Sequence, residues 1–136
     1  MHTVDRVKEF HEAFGIPRVD KTPEQILDGR LRLIWEEFQE VVDAAGYKLL
    51  LAGDMILLYK QRKTFDEAHL LKELADLDYV VAGTAEVFKW DFEEAGKRVH
   101  ESNMGKIWAD GTVQYRADGK VLKPDTYQPP DLKDLV

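Results

Sequence analysis

The sequence predicts an all-α protein, a four-helix-bundle-type core followed by a loop-rich tail. Three observations carry that prediction. Long segments place apolar residues at the i, i+3, i+4 and i+7 spacing of one helix face. Cap signals stand ahead of those segments. Glycine, proline and aspartate turn signals gather from about residue 109 to residue 136. All 136 residues read as one domain around one core.

Each element follows from local chemistry. Val4, Val7, Phe10, His11 and Phe14 recur at helical spacing, so a first helix is expected over Val4–Phe14 with Gly15 as its stop. Thr22 has the form of an N-cap, with Pro23 at the first helical position and Gln25 closing a capping box. The second helix then runs from Pro23 to Ala45, with Gly46 ending it. In "YKLLLAGDMILLYKQRK", Gly53-Asp54 is either a hairpin turn or a break between short helical turns. Leucine and methionine favour the helical alternative. A third helix is expected from about Phe65 to Lys89, with Thr64 as cap and Glu67 in its capping box. Asp91 caps a fourth, from about Phe92 to Trp108. The tail reads as loops with one short hairpin at Asp118-Gly119.

Composition narrows the function. The net charge of −7 argues against a nucleic-acid polymer as partner, because such proteins carry a basic excess. No apolar run is long enough to span a membrane. Cysteine is absent, which excludes disulfides and thiolate metal sites. The opening "MHTVDRVKEF" has no apolar secretory stretch, and a cytoplasmic location is expected.

The chemistry lies in where the acids point. On a helix advancing about 100° per residue, Leu77 lies about 40° from Glu73, Val80 and Thr84 about 20°, and Leu70 about 60°. Glu73 therefore sits inside an apolar stripe, and Asp76 flanks it one turn on. In "IWEEFQEVV", Leu27, Leu31, Ile34, Phe38, Val41 and Ala45 form the main stripe. Glu36, Glu37 and Glu40 share a neighbouring arc with Leu33, which implies that the arc is partly buried. Buried carboxylates need a basic partner, a shared proton or a cation. Arg30, Arg32 and Lys72 are the nearby bases, and none stands at i+3 or i+4 from Glu73. An all-oxygen site suits Mg²⁺, with Mn²⁺ as the alternative. Taken alone, "EEFQE" is more often a solvated face; two acidic motifs that each touch an apolar face favour a metal site. Asn103 repeats the anomaly on the fourth helix, with Lys106 one turn onward. It is either a core amide bonded to backbone or a group that reads a base or sugar. Asp78 points away from Asp76 and is free to pair elsewhere. The four histidines show no ligand spacing.

"WEEFQE" followed by "KELADLDYVVAG" resembles the EExxE and ExxD motifs of the all-α nucleoside triphosphate pyrophosphohydrolases, the superfamily of MazG, dimeric dUTPases and phosphoribosyl-ATP pyrophosphohydrolase. "VHESNMGK" and "ADGKVLKP" resemble later segments of its MazG-like, dUTPase-related members. The resemblance implies that Glu36, Glu37, Glu40, Glu73 and Asp76 bind Mg²⁺ and that a nucleoside triphosphate yields a monophosphate and pyrophosphate. Within that scheme Glu37, Glu40, Glu73 and Asp76 are the expected ligands, and Glu36 orients or deprotonates the water. It further implies that Asn103, Lys106, Lys120 and Lys123 contact substrate. Members assemble as homodimers or homotetramers in which two chains complete one core. The N-terminal helix and the tail extend beyond the compact phosphoribosyl-ATP form, which argues for a general (deoxy)nucleotide substrate over phosphoribosyl-ATP. A non-enzymatic alternative is a helical dimer stabilised by a structural cation.

Overall fold

The computed structural model describes residues 1–62 and 64–136, and four α-helices and a β-hairpin account for most of them. Two compact units divide them, Met1–Phe88 and Lys89–Val136. The first holds α1 (Thr3–Phe14), α2 (Pro23–Ala44), β1 (Tyr47–Ala52), β2 (Met55–Lys60) and α3 (Glu67–Val87). The second holds α4 (Phe92–Met104) and the C-terminal segment with a short 3-10 turn at Lys133–Leu135.

The cap chemistry explains the helix ends. Thr22 and Gln25 form the expected reciprocal box, with Gln25 N donating to Thr22 Oγ1 at 3.2 Å and Thr22 N to Gln25 Oε1 at 2.9 Å. Gly15 takes the left-handed conformation that ends α1. At α3 the cap is Asp66, not Thr64. Its carboxylate accepts from the amides of Ala68 and His69, a stronger pairing than a hydroxyl offers, so the helix begins at Glu67. Asp91 caps α4 as expected, accepting from Glu94 N at 3.1 Å. That helix stops at Met104 rather than Trp108, where Gly105 withdraws helix propensity.

The fold is therefore mostly helical, not all-α. Residues 47–60 form an antiparallel hairpin in the register Tyr47↔Lys60 to Ala52↔Met55. Its two-residue turn has φ of +59° at Gly53, the first loop position, which glycine takes without strain. Strand pairing overrides the weak helix preference of leucine. Gly46, with φ of +84°, anchors the hairpin to α2: its carbonyl accepts from Gln61 N and Arg62 N.

In the first unit α3 is central, with α1 and α2 packed against it. The α2 side that meets α3 carries Arg30, whose Nη2 donates to Val80 O at 2.8 Å and Nε to Thr84 Oγ1 at 3.2 Å. Half of the expected main stripe of α2 is instead uncovered, with Leu27, Leu31 and Phe38 exposed and Ile34, Val41 and Ala45 part-buried; Trp35, beside the stripe, is exposed as well. The buried apolar core is small: Val7, Val42, Ala44, Ala82, Ala85 and Val87. Asp78 does pair elsewhere, accepting from Thr3 Oγ1 on α1 at 2.7 Å.

In the second unit the C-terminal segment runs along α4. Arg98 holds the Asp134 carboxylate with two nitrogens at 2.6 and 2.9 Å, and Ser102 donates to Gln128 O at 2.7 Å. The Asp118-Gly119 turn is present, closed by Arg116 N to Lys120 O at 2.7 Å and a bridge between Tyr115 and Val121. None of the described helices is long and apolar enough to cross a membrane.

Candidate active site

The antiparallel packing of α2 on α3 brings the two acidic motifs together. Glu37, Glu73 and Asp76 each place a carboxylate oxygen within 4.8 Å of the others. Glu73 is buried, at 4% exposure, as its place in the apolar stripe predicts. Glu37 Oε2 is buried and has no hydrogen-bond partner among the described residues. Burial pushes the Glu37 carboxyl above the usual range, and the charges of Glu40, Asp76 and Glu73 push it further, with Lys72 opposing. A glutamate with an orphaned buried oxygen, clustered with two further acids, offers the donor set of a hard divalent cation. The residues present therefore fit Mg²⁺ or Mn²⁺.

Basic partners take up part of the charge. Lys72 Nζ lies 2.7 Å from Asp76 Oδ2 and 3.3 Å from Glu73 Oε1. His69 Nε2 lies 2.9 Å from Glu73 Oε1, one helical turn earlier. The hydrogen bonds of Lys72 to Asp76 and then Glu73 drive its ammonium well above the ordinary value. Sequence reasoning missed both contacts because it looked only forward along the helix. His69 stands at i−4 from Glu73 and Lys72 at i−4 from Asp76, spacings as close as i+4. Neither lysine nor histidine reaches Glu37 Oε2, which keeps the cation as the remaining remedy.

Glu36 and Glu40 lie outside the three-acid cluster. Both are exposed and line an open cavity of about 670 Å³ with Gln39, Asp43, His69, Lys72 and Glu73. Glu73 thus belongs to both cluster and cavity. Arg32 pairs with Asp28 across one turn at 2.9 Å, away from the acids.

The remaining expected residues meet in the second unit. Lys106, Lys120 and Lys123 line a cavity of about 550 Å³ together with Arg116, Val121 and Leu122. Asn103 is exposed rather than inward, and its Oδ1 accepts from Lys106 Nζ at 2.7 Å. The α4 stripe that was to bury it is open, with Val99 and Ile107 more than 40% exposed. Arg116 and Tyr127 were not expected from sequence. The Tyr127 ring lies 4.8 Å from Lys123 Nζ and 5.9 Å from Lys106 Nζ.

A family model described as phosphoribosyl-ATP pyrophosphohydrolase matches residues 7–103. The chain belongs to the phosphoribosyl-ATP pyrophosphohydrolase family. That places it among the all-α NTP pyrophosphohydrolases, as the two acidic motifs suggested, and makes it a member of a family of hydrolases that act on phosphoric anhydrides. No curated protein matches the chain. The match begins inside α1 and ends at Asn103, so both acidic motifs lie within it and the basic cavity lies beyond it. The first helix is accordingly no sign of departure from the phosphoribosyl-ATP family.

Proposed function

We propose that the protein hydrolyses the α–β anhydride of a nucleotide triphosphate chain, consuming one water and leaving a nucleotide monophosphate and pyrophosphate. The observation that carries this reading is the buried, unpartnered Oε2 of Glu37 beside Glu73 and Asp76. Those three residues would hold Mg²⁺ or Mn²⁺. A divalent cation there supplies charge neutralisation for the phosphates and a bound water of lowered pKa. The chain's own groups do the rest. Glu36 stands on the open cavity, free of a buried role, and takes the proton of the attacking water. Glu40 shares that cavity and adds negative charge that draws the cation. In the second unit, taken by itself, Lys106, Lys120 and Lys123 line a cavity whose point cations suit phosphate oxygens, with Asn103 holding Lys106.

Phosphoribosyl-ATP is the substrate that the family match supports best. A general (deoxy)nucleoside triphosphate is the second reading. It is favoured by residues 104–136, which lie outside the match and carry the basic cavity. The chain is also proposed to work as a homodimer or homotetramer. In the single chain Leu27, Leu31, Trp35 and Phe38 leave one face of α2 exposed, and Leu51, Ile56 and Leu58 do the same on the hairpin.

The test is pyrophosphate release with Mg²⁺ from phosphoribosyl-ATP and from a panel of ribo- and deoxynucleoside triphosphates. Turnover is expected on phosphoribosyl-ATP, and lost to background in Glu73→Gln. Glu36→Gln is expected to lose on the order of 100-fold or more in kcat, the scale of a general base. Turnover confined to the panel would select the second reading. Metal-dependent heat stability with no turnover on any nucleotide would replace both with a structural cation.

A further inference from the structure

The cavity of the second unit concentrates positive charge in an otherwise acidic protein. Its polar lining is entirely cationic: Lys106, Arg116, Lys120 and Lys123. Among the described residues only Arg116 has a carboxylate partner, Asp118, whose Oδ2 lies 2.6 Å from Nη2. Lys106 is bonded to a neutral amide, and Lys120 and Lys123 have no carboxylate within ion-pair distance among the described residues. Like charges gathered around one space repel unless something anionic fills it.

The fold holds two of these cations in place by a device that does not neutralise them. The Tyr127 ring lies under both Lys123 and Lys106, within cation–π range of each. An aromatic face attracts an ammonium and leaves its N–H donors available. The ring is itself fixed, because its hydroxyl meets Ser102 Oγ at 3.1 Å and Ser102 is tied to the Gln128 carbonyl at 2.7 Å. On the other wall, the Arg116–Asp118 pair and the Arg116 N to Lys120 O bond close the turn that presents Arg116 and Lys120. A carboxylate at Tyr127 would quench the lysines; a tyrosine arranges them.

We propose that this cavity is an anion site that captures a phosphate chain without a metal ion, with Arg116 as its fourth cation and Tyr127 as the positioning residue that aligns Lys106 and Lys123. The proposal rests on the phosphoanhydride reading above for its choice of anion, but it needs neither the acidic cluster nor turnover. The shared chemistry is a linear polyphosphate, whether free or carried by a nucleoside.

The experiment is calorimetric titration of inorganic tripolyphosphate, ATP and AMP into the full chain in EDTA. Tripolyphosphate and ATP are expected to bind with similar affinity, falling with added salt, and AMP at least about tenfold more weakly. Arg116→Gln and Lys123→Gln are each expected to weaken tripolyphosphate about tenfold, the effect of losing one charge-assisted contact. Tyr127→Leu is expected to weaken it more than Tyr127→Phe, which keeps the ring under both lysines and loses only its hydroxyl contact with Ser102. Undiminished binding in Tyr127→Leu would remove the positioning role. No binding in EDTA, binding indifferent to Arg116→Gln and Lys123→Gln, or ATP held more than tenfold tighter than tripolyphosphate would overturn the site. Binding without turnover on any nucleotide would sink the hydrolase reading and leave this one standing; turnover without binding in EDTA would do the reverse.

Discussion

Glu37 shows how a single side chain can record a function. A glutamate that served only solubility would keep both oxygens in water, yet among the described residues Oε2 is buried without a partner, and the carboxylate clusters with two other acids. Such a group costs the metal-free fold stability, because burial and like charge both disfavour its ionised form. Its raised carboxyl fixes the sign of two pH effects. A group whose folded value is raised stabilises the fold at pH below its unfolded value and loses that contribution as pH rises through the folded one. Metal-free protein is thus expected to lose thermal stability across the window just above the ordinary glutamate range, and Glu37→Gln to flatten that loss in a series of melts. Cation affinity runs the other way, falling as acid protonates Glu37 before ordinary carboxylates; Mn²⁺ titrations at stepped pH read it. Glu73 was legible in the sequence because a carboxylate amid Leu70, Leu77 and Val80 violates the helical pattern. Lys72 and His69 were less so, since their pairing depends on rotamers that helical spacing does not fix.

At the scale of elements, α2 and α3 must approach closely enough for the acids to converge, and Gly83 is one reason they can. A β-carbon there would lie 2.4 Å from Arg30 Nη2 and 3.2 Å from His11 Nε2. Arg30 is held by Val80 O and Thr84 Oγ1, so it cannot yield without losing hydrogen bonds. Gly83→Ala should gain about 1 kcal/mol of helix propensity and lose more than that in charged hydrogen bonds of about 1.5–3 kcal/mol each. A net loss is expected in chemical denaturation, and a gain would mean that Arg30 moves aside freely. The helices themselves were readable from periodicity and caps, except where a neighbour offered better chemistry. Asp66 outcompeted Thr64 as a cap. The hairpin at residues 47–60 was the harder case, because its leucines carry helix propensity and only Gly53 and the pairing of β1 with β2 decide for strand.

The whole molecule leaves more apolar surface open than a lone chain of this size comfortably carries. Leu27, Leu31 and Phe38 of the α2 stripe were expected to face a core and do not do so within one chain. Sequence periodicity reports that a face wants burial; it does not say whether the cover comes from the same chain or another. If a second copy covers the hairpin, Ile56→Lys combined with Leu58→Lys should convert a dimer or tetramer to monomer in light scattering. A wild-type monomer at tens of micromolar would contradict that. Family membership was legible in the acidic motifs and the three lysines of the basic cavity in the resemblance, whereas Arg116 and Tyr127 were not, because they join Lys106 and Lys123 only through the turn at Asp118-Gly119 and the packing of the C-terminal segment. The account as a whole stands on the three acids taking up a divalent cation. Calorimetric titration of Mn²⁺ into wild type and Glu37→Gln tests this most directly. Saturable binding in wild type that is lost in the variant is the predicted result; no binding in wild type, or equal binding in both, would contradict it.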